Sequence, residues 1–517
     1  MKRLSYFIFT ISITILSCLT TSAQNPIAVG FSNLDEHVRN AQLLGKLDAN
    51  ESLTNRPYYT SRYQTYADLL NDLDGQIQYH APQINKWGLH IEALPISLTQ
   101  KYNSTRAFGW NDQAMGYSKG YQGQLTTGLF AKWGILHAQY QPELVHFASG
   151  DFTKKTKLLP GQSFVAIHVA GLSLSISSEN LWWGPGRYAS LLMSNNAAGF
   201  EHARLATTRP INIGIGKLEF ALVLGRMTRD TSQGFENNSL QKRTFDYSLA
   251  STRQYNGVNM VLQPAGLKNI FVGFNRAFQN YEQVQKPGAN FMTTYMPVLN
   301  GLYKSNYADD TLSKDQILSI YTRWLFPKNH AEVYFEYGFN DAKQNVRDLL
   351  IDMSHSSAYT FGFKKLHTLT ETKYLDLGFE ATKMSQTPSY IQRSAGNWYE
   401  HSTVYEGFTN NNQIIGVGAG HGNDLQTITL DLHEGFNVLG IKFQHIAHNP
   451  YLETGENAVK LRNTKWDDYV FGTHWGYRYK HFIVNANLEW VKARNYNWIN
   501  ATHKGNIYAF INTIFLW

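Results

Sequence analysis

From about residue 120 to the end of the chain, apolar and polar side chains alternate with a period of two. Ala331, Val333, Phe335, Tyr337 and Phe339 alternate with Glu332, Tyr334, Glu336, Gly338 and Asn340. Leu375, Leu377, Phe379 and Ala381 alternate with Asp376, Gly378, Glu380 and Thr382, and Phe482, Val484, Ala486, Leu488 and Trp490 with Asn485, Asn487 and Glu489. Successive side chains of a strand point to opposite faces, so each run predicts a strand with one greasy and one wet face. The runs are often near ten residues long, which fits tilted strands crossing a bilayer better than the strands of soluble sheets. Some connections are brief, such as Lys132-Trp133-Gly134 and Phe326-Pro327-Lys328-Asn329, whereas Met384 to Gln413 is a long polar and aromatic excursion. Short turns on one side and long loops on the other are the habit of outer-membrane barrels.

Aromatic residues strengthen the picture. Tyr469, Phe471, Trp475, Tyr477 and Tyr479 share one face of a single strand, as an interfacial girdle requires. The last strand alternates through Ile507, Ala509, Ile511, Thr513 and Phe515 to a final Trp517. In hydrocarbon an unpaired backbone N–H or C=O costs several kcal/mol, so such a sheet must close on itself. The fold expected is all-β: a transmembrane antiparallel β-barrel over residues 111–517, with roughly 20 to 24 residues per strand and connection giving about 16 to 18 strands.

The start of the chain reads differently. Lys2 and Arg3 precede an apolar run from Leu4 to Leu19 and the small residues Thr21, Ser22 and Ala23, so residues 1–23 are expected to be a secretory signal cut before Gln24. Over residues 24–110 a partly helical periplasmic region is expected. Leu34, Val38, Ala41 and Leu44 recur at helical spacing up to Gly45, and a second candidate opens near Pro57 and runs through Tyr63, Tyr66, Leu69 and Leu70 to Gly75.

Composition removes several classes. No stretch after residue 23 approaches the run of 18 apolar residues a membrane helix needs, and the mean hydropathy of −0.36 with 14% aromatics fits strands that alternate lipid-facing and lumen-facing positions. The only cysteine is Cys18, so a chain cut after Ala23 has no disulfide, thiolate metal site or cysteine nucleophile. Losing Lys2 and Arg3 takes the basic count from 46 to 44 against 39 acidic residues, a charge of +5, too dilute for a nucleic-acid partner.

Catalytic signatures are sparse. The glycines of Gly416-Val417-Gly418-Ala419-Gly420-His421-Gly422 do not space as a dinucleotide loop, and His433-Glu434 is not followed by a second histidine at zinc-hydrolase spacing. The 18 histidines show no ligand spacing and there is no G-x-S-x-G elbow, so neither a metal, a cofactor nor an enzyme activity is expected.

One segment stands apart. Between Ser178 and Ala198 lie Glu179, Asn180, Trp182, Trp183, a Gly184-Pro185-Gly186 turn, Arg187, Asn195 and Asn196. Indole faces stack on sugar rings, while Arg, Asn and Glu orient hydroxyls or carboxylates by planar hydrogen bonding. The same residues equally suit a barrel constriction, with the tryptophans wedged in a turn and Arg187 paired to an internal carboxylate. In the long excursion Trp398, Tyr399 and Tyr405, with Arg393 and His401 nearby, are candidates for stacking on an extracellular glycan and meeting its acidic groups.

Ser178 through Arg187, with Ser194-Asn195-Asn196-Ala197, resembles the signature of the capsule-assembly Wzi family of outer-membrane barrels. Two further stretches agree: Asp35-Glu36-His37-Val38-Arg39 through Gly45 with Arg56-Pro57, and Tyr405-Glu406-Gly407-Phe408-Thr409-Asn410 through Gly416 and Gly420. The resemblance implies an 18-stranded barrel with a small helical part on the periplasmic side, no cofactor and no enzyme activity. It also implies a surface lectin that holds capsular polysaccharide on the cell. The expected partners are extracellular polysaccharide, outer-membrane lipid and the barrel-assembly machinery. The rival expectation is a porin or polysaccharide-export channel.

Overall fold

The computed structural model describes residues 29–30, 34–57, 81–148, 155–229, 252–281, 296–302, 315–340, 355–386, 397–401, 404, 406–450 and 464–517. The signal segment, the second helix candidate and residues Arg393 and Tyr405 lie outside these. Four of the strands are interrupted: β1 (Leu89–Ala93 and Ile96–Asn103), β2 (Gly120–Thr126 and Leu129–Trp133), β3 (Leu136–Tyr140 and Glu143–Phe147) and β4 (Thr156–Leu159 and Phe164–Val169). They are followed by β5 (Leu172–Ser177), β6 (His202–Thr207, extended by Ile211–Asn212), β7 (Gly216–Met227), β8 (Arg253–Pro264) and β9 (Ile270–Tyr281). Then come β10 (Asp315–Phe326), β11 (Ala331–Asn340), β12 (Ser357–Thr368), β13 (Lys373–Lys383) and β14 (Asp424–Glu434). β15 (Asn437–His448), β16 (Trp466–Tyr479), β17 (Phe482–Arg494) and β18 (His503–Phe515) complete the set.

Each strand pairs antiparallel with the next, and β18 pairs back on β1, with Phe515 opposite Ile96 and Tyr508 opposite Asn103. The pairings therefore return from β18 to the Ile96–Asn103 part of β1, while its Leu89–Ala93 part pairs with a further short strand, Gln83–Lys86. With each interrupted strand counted once and the short Gln83–Lys86 strand set apart, there are 18 crossings among the described residues. The sheet starts at Gln83, upstream of the boundary expected at residue 111. Pro95 breaks the two-residue alternation of β1 and hides this first crossing from a periodicity reading.

Burial runs opposite to that of a soluble sheet. In β11, Glu332, Tyr334 and Glu336 are fully enclosed while Phe335 is 40% exposed. In β17, Leu488 and Trp490 face outward and Glu489 and Val491 inward. Apolar side chains outside and polar ones inside define a wall with lipid on its outer face and a polar lumen. One end carries tight turns, at Gly134-Ile135, Ala170-Gly171, Gly435-Phe436 and Lys480-His481. The other carries the long connections, among them those from Met227 to Arg253, Tyr281 to Asp315 and Lys383 to Asp424.

The helix α1 (Leu34–Leu43) forms where the apolar spacing predicts it and ends at Gly45, whose φ of +74° suits a helix stop. It does not cap the barrel from outside. Arg39 bonds Glu332 of β11 at 2.5 Å, Asn40 bonds Tyr374 of β13, and the carbonyl of Leu43 meets the ring of His330 beside a tight turn. The helix thus lies against the inner wall near the tight-turn end.

Candidate functional site

Leaving β5, residues 178–200 fold into the lumen and return to β6. Glycines permit the sharp turn: a Cβ on Gly186 would lie 1.8 Å from the carbonyl oxygen of Ala189. Trp182 and Trp183 form a short ladder with Arg56 and Asn55, which ties this inner segment to the chain following α1. Trp183 is fully buried, its indole seated in a notch made by Gly257 of β8, and Ser190 donates to its carbonyl at 2.6 Å. Trp182 is buried under the guanidinium of Arg56, 5.1 Å from its ring.

Arg187 ties the inner segment to α1 and β13. It pairs with Glu36 of α1 at 2.7 Å and Asp376 of β13 at 3.6 Å, while its backbone N–H donates to Glu380 at 2.6 Å. Lys364 of β12 closes the cluster against Glu36 and, at 2.9 Å, against Asp376. Burial pushes the Glu36 carboxyl up, but Arg187, Lys364 and Arg39 outweigh it and hold Glu36 well below the ordinary range. Asp376, Asp431 and His433 stand close enough to share a cation, with donor atoms within 4.8 Å of one another. Lys364 and Arg187 already place positive charge there, so the donor set does not fit a metal well.

The remaining residues of the inner segment are also tied to backbone. Asn180 donates to the carbonyl of Ala197 at 2.7 Å and accepts from Gln162 at 2.8 Å. Glu179 accepts from Ser177 at 2.8 Å, and burial pushes its carboxyl up to about 7. Asn195 donates to the carbonyl of Asn111 at 3.1 Å, and Asn196 to that of Ile414 at 2.8 Å. Ser194 donates to the carbonyl of Gly416. The three stretches that carry the family resemblance, far apart in the chain, thus meet inside the barrel through Glu36–Arg187, Ser194–Gly416 and Asn196–Ile414.

Trp398 and Tyr399, expected on an external loop, lie in the same interior core with no exposed surface. Tyr399 donates its hydroxyl to the carbonyl of Leu191 at 2.8 Å and accepts from the Val417 N–H at 2.9 Å. His401 is half-buried and accepts from the Val404 N–H at 3.3 Å. None of Trp183, Trp398 and Tyr399 offers a ring face for stacking.

The inner segment fills the lumen against β7–β13 and leaves a chamber of about 360 Å³ on the side of β14–β18 and β1. That volume lies in the range of small-ligand sites. Its wall presents amides and hydroxyls such as Gln444, Asn485, Asn487 and Thr429, and the half-buried Trp110 with Tyr508 forms an aromatic side. Its charged groups come in pairs, His474 with Asp431 at 2.9 Å and Lys442 with Glu489, so the lining is polar and nearly balanced. Such a surface exchanges hydrogen bonds with hydroxyls and stacks an apolar ring face, without demanding a charged ligand. Of the ten expected site residues among those described, Trp182, Arg187 and Asn195 reach this chamber. The wall residues were not singled out from the sequence, although Asn485, Asn487 and Glu489 stand on the wet face that the alternation identifies.

The profile of the family described as capsule assembly protein Wzi matches residues 99–506. Among solved structures the chain is similar to Wzi of Escherichia coli, described as an outer-membrane protein involved in group 1 capsule assembly and a carbohydrate-binding β-barrel. The identity is 11% and the TM-score 0.65, over 95% of this chain and 100% of that one, which speaks to the fold. Weaker likenesses link it to OccK2 of Pseudomonas aeruginosa in complex with glucuronate (10% identity, TM-score 0.43, 82% and 98% of the two chains). The figures for OprD of the same species are 10%, 0.40, 84% and 96%. A comparison with curated proteins finds no match.

Proposed function

The chain belongs to the Wzi capsule-assembly family, and from that premise we propose that it is a non-catalytic outer-membrane barrel that binds extracellular polysaccharide and supports attachment of a capsule at the cell surface. The observation that carries the reading is the lumen itself. A folded-in segment, buried and bonded to both walls, occupies one side, and the space left is lined by amides, hydroxyls and an aromatic side. Trp183, Trp398 and Tyr399 fill part of the lumen with a packed core, which narrows the aqueous path that a transport pore needs.

A lumenal contact with one or two sugar units need not be tight. A long polymer that rebinds at many copies of the protein stays on the cell because each rebinding occurs at high effective concentration. No nucleophile–base pair is required by this role, and the buried carboxylates of the lumen serve as anchors for arginine, lysine and backbone N–H groups. Outer-membrane lipid and the barrel-assembly machinery complete the proposed partners.

Deletion of the gene tests the proposal. Cells lacking the protein should still make capsule but shed it into the medium. A deletion strain with a normal, firmly attached capsule would overturn the lectin reading. Large, stable single-channel currents from the purified protein in planar bilayers would favour the channel instead.

A further inference from the structure

The pairing register of β14–β18 allows the lipid-facing side of the wall to be read in horizontal rows. Ile428, Phe443, Phe471, Trp490 and Ile507 are successive cross-strand partners, all exposed and all apolar. Two residues nearer the long-loop end the row becomes Gln426, His445, Tyr469, Lys492 and Gly505, and the next is Asp424, Ala447, Asp467, Arg494 and His503. The change from wholly apolar to polar within one row, about 7 Å along the strand, marks the outer limit of the hydrocarbon.

The polar rows are not symmetric in charge. Their carboxylates are engaged: Asp467 faces His445 Nε2 at 3.1 Å, and Asp424 accepts from Ser385 Oγ at 2.7 Å. Lys492 and Arg494 are exposed, stand two residues apart on the outward face of β17, and form no ion pair with a described residue. His503 lies opposite Arg494. Gly505, opposite Lys492, carries no side chain and has nothing within 4 Å of where a Cβ would stand, so the surface beside the lysine is unobstructed.

We propose that this open basic surface, bounded by Lys492, Arg494 and His503, binds the phosphate of a phosphorylated glycolipid in the outer leaflet. The patch points sideways from the wall, directly above Trp490 and Ile507, so a ligand with acyl chains against the apolar rows brings its headgroup to this height. A guanidinium fork and an ammonium suit phosphate geometry. A glycan approaching along the barrel axis would not meet this face.

The test titrates the purified full-length protein, in detergent and freed of native lipid, with a bis-phosphorylated lipid A and with the same lipid after phosphatase treatment. Thermal unfolding is the readout. The phosphorylated form should raise the midpoint and the dephosphorylated form should not. K492Q/R494Q should weaken the phosphorylated lipid about 25-fold, since each cation at a membrane surface contributes roughly fivefold toward anionic lipid. Equal stabilisation by both lipids, or an unchanged affinity in the double variant, would overturn the assignment. Displacement of the lipid by acidic capsular oligosaccharide would also overturn it and give the patch to the glycan. Heat-modifiable gel mobility shows whether the double variant is folded; where it is not, the two lipids compared on the unaltered protein decide.

Discussion

Trp183→Ala distinguishes an anchoring tryptophan from a sugar-binding one. The indole has no exposed surface, and a Cβ built on Gly257 would approach its ring to 2.7 Å, so the two residues share one volume across the lumen. Removing a buried indole from a site that relaxes only partly costs about 3–5 kcal/mol. Gly257→Ala alone forces a methyl into the ring and the Tyr255 hydroxyl, for about 1–3 kcal/mol. In the double variant the methyl enters space the indole has left, so the pair should be less destabilised than the sum of the singles by at least about 1 kcal/mol. Urea unfolding of the protein reconstituted in vesicles measures all four corners of the cycle. Additivity within about 0.5 kcal/mol, or a Trp183→Ala protein as stable as the parent, would refute the packing argument and return Trp183 to the list of glycan contacts.

Three further outcomes follow from the same geometry. Leu488→Arg, on the outward face of β17, should cost about 2–4 kcal/mol in vesicles, while Asn487→Arg, one residue away on the lumen side, should cost much less; a soluble sheet would show no such penalty at an exposed leucine. Arg187→Met leaves Asp376 with Lys364, and Glu36 with Lys364 and the more distant Arg39, and should destabilise by about 3–5 kcal/mol, with part recovered by adding Glu36→Gln, as read by urea unfolding. Glu179 has a folded pKa of about 7, above its ordinary value, so the folded state holds its proton more tightly: stability is greatest below the unfolded pKa and falls as pH rises toward 7. Glu179→Gln should flatten that slope, and an unchanged pH profile would count against the burial argument.

The strands with unbroken alternation were legible, as in Ala331–Asn340 and His503–Phe515, because lipid outside and water inside impose a two-residue period that local sequence cannot hide. α1 was legible from Leu34, Val38 and Ala41 for the corresponding helical reason. The first crossing was not, since Pro95 interrupts it and its identity as wall depends on β18, four hundred residues away. Trp398 and Tyr399 read as loop aromatics because a long connection carries no local mark of which way it folds; their inward course is set by Leu191 and Val417. The chamber residues were the least legible. Thr429, Gln444, Asn487 and Tyr508 come from four strands, each contributing an isolated wet position, and only the pairing of the strands assembles them.

The most direct test of a lumenal glycan site is calorimetric titration of capsular oligosaccharide into the purified barrel and two variants at one position. Asn487→Leu removes an amide from the chamber wall, and Asn487→Trp fills the space. Both should keep the parental unfolding midpoint while affinity falls at least about tenfold, the loss expected when a sugar hydroxyl is left unpaired in an enclosed polar site. Undiminished binding by the tryptophan variant would place the glycan outside the lumen and contradict the account.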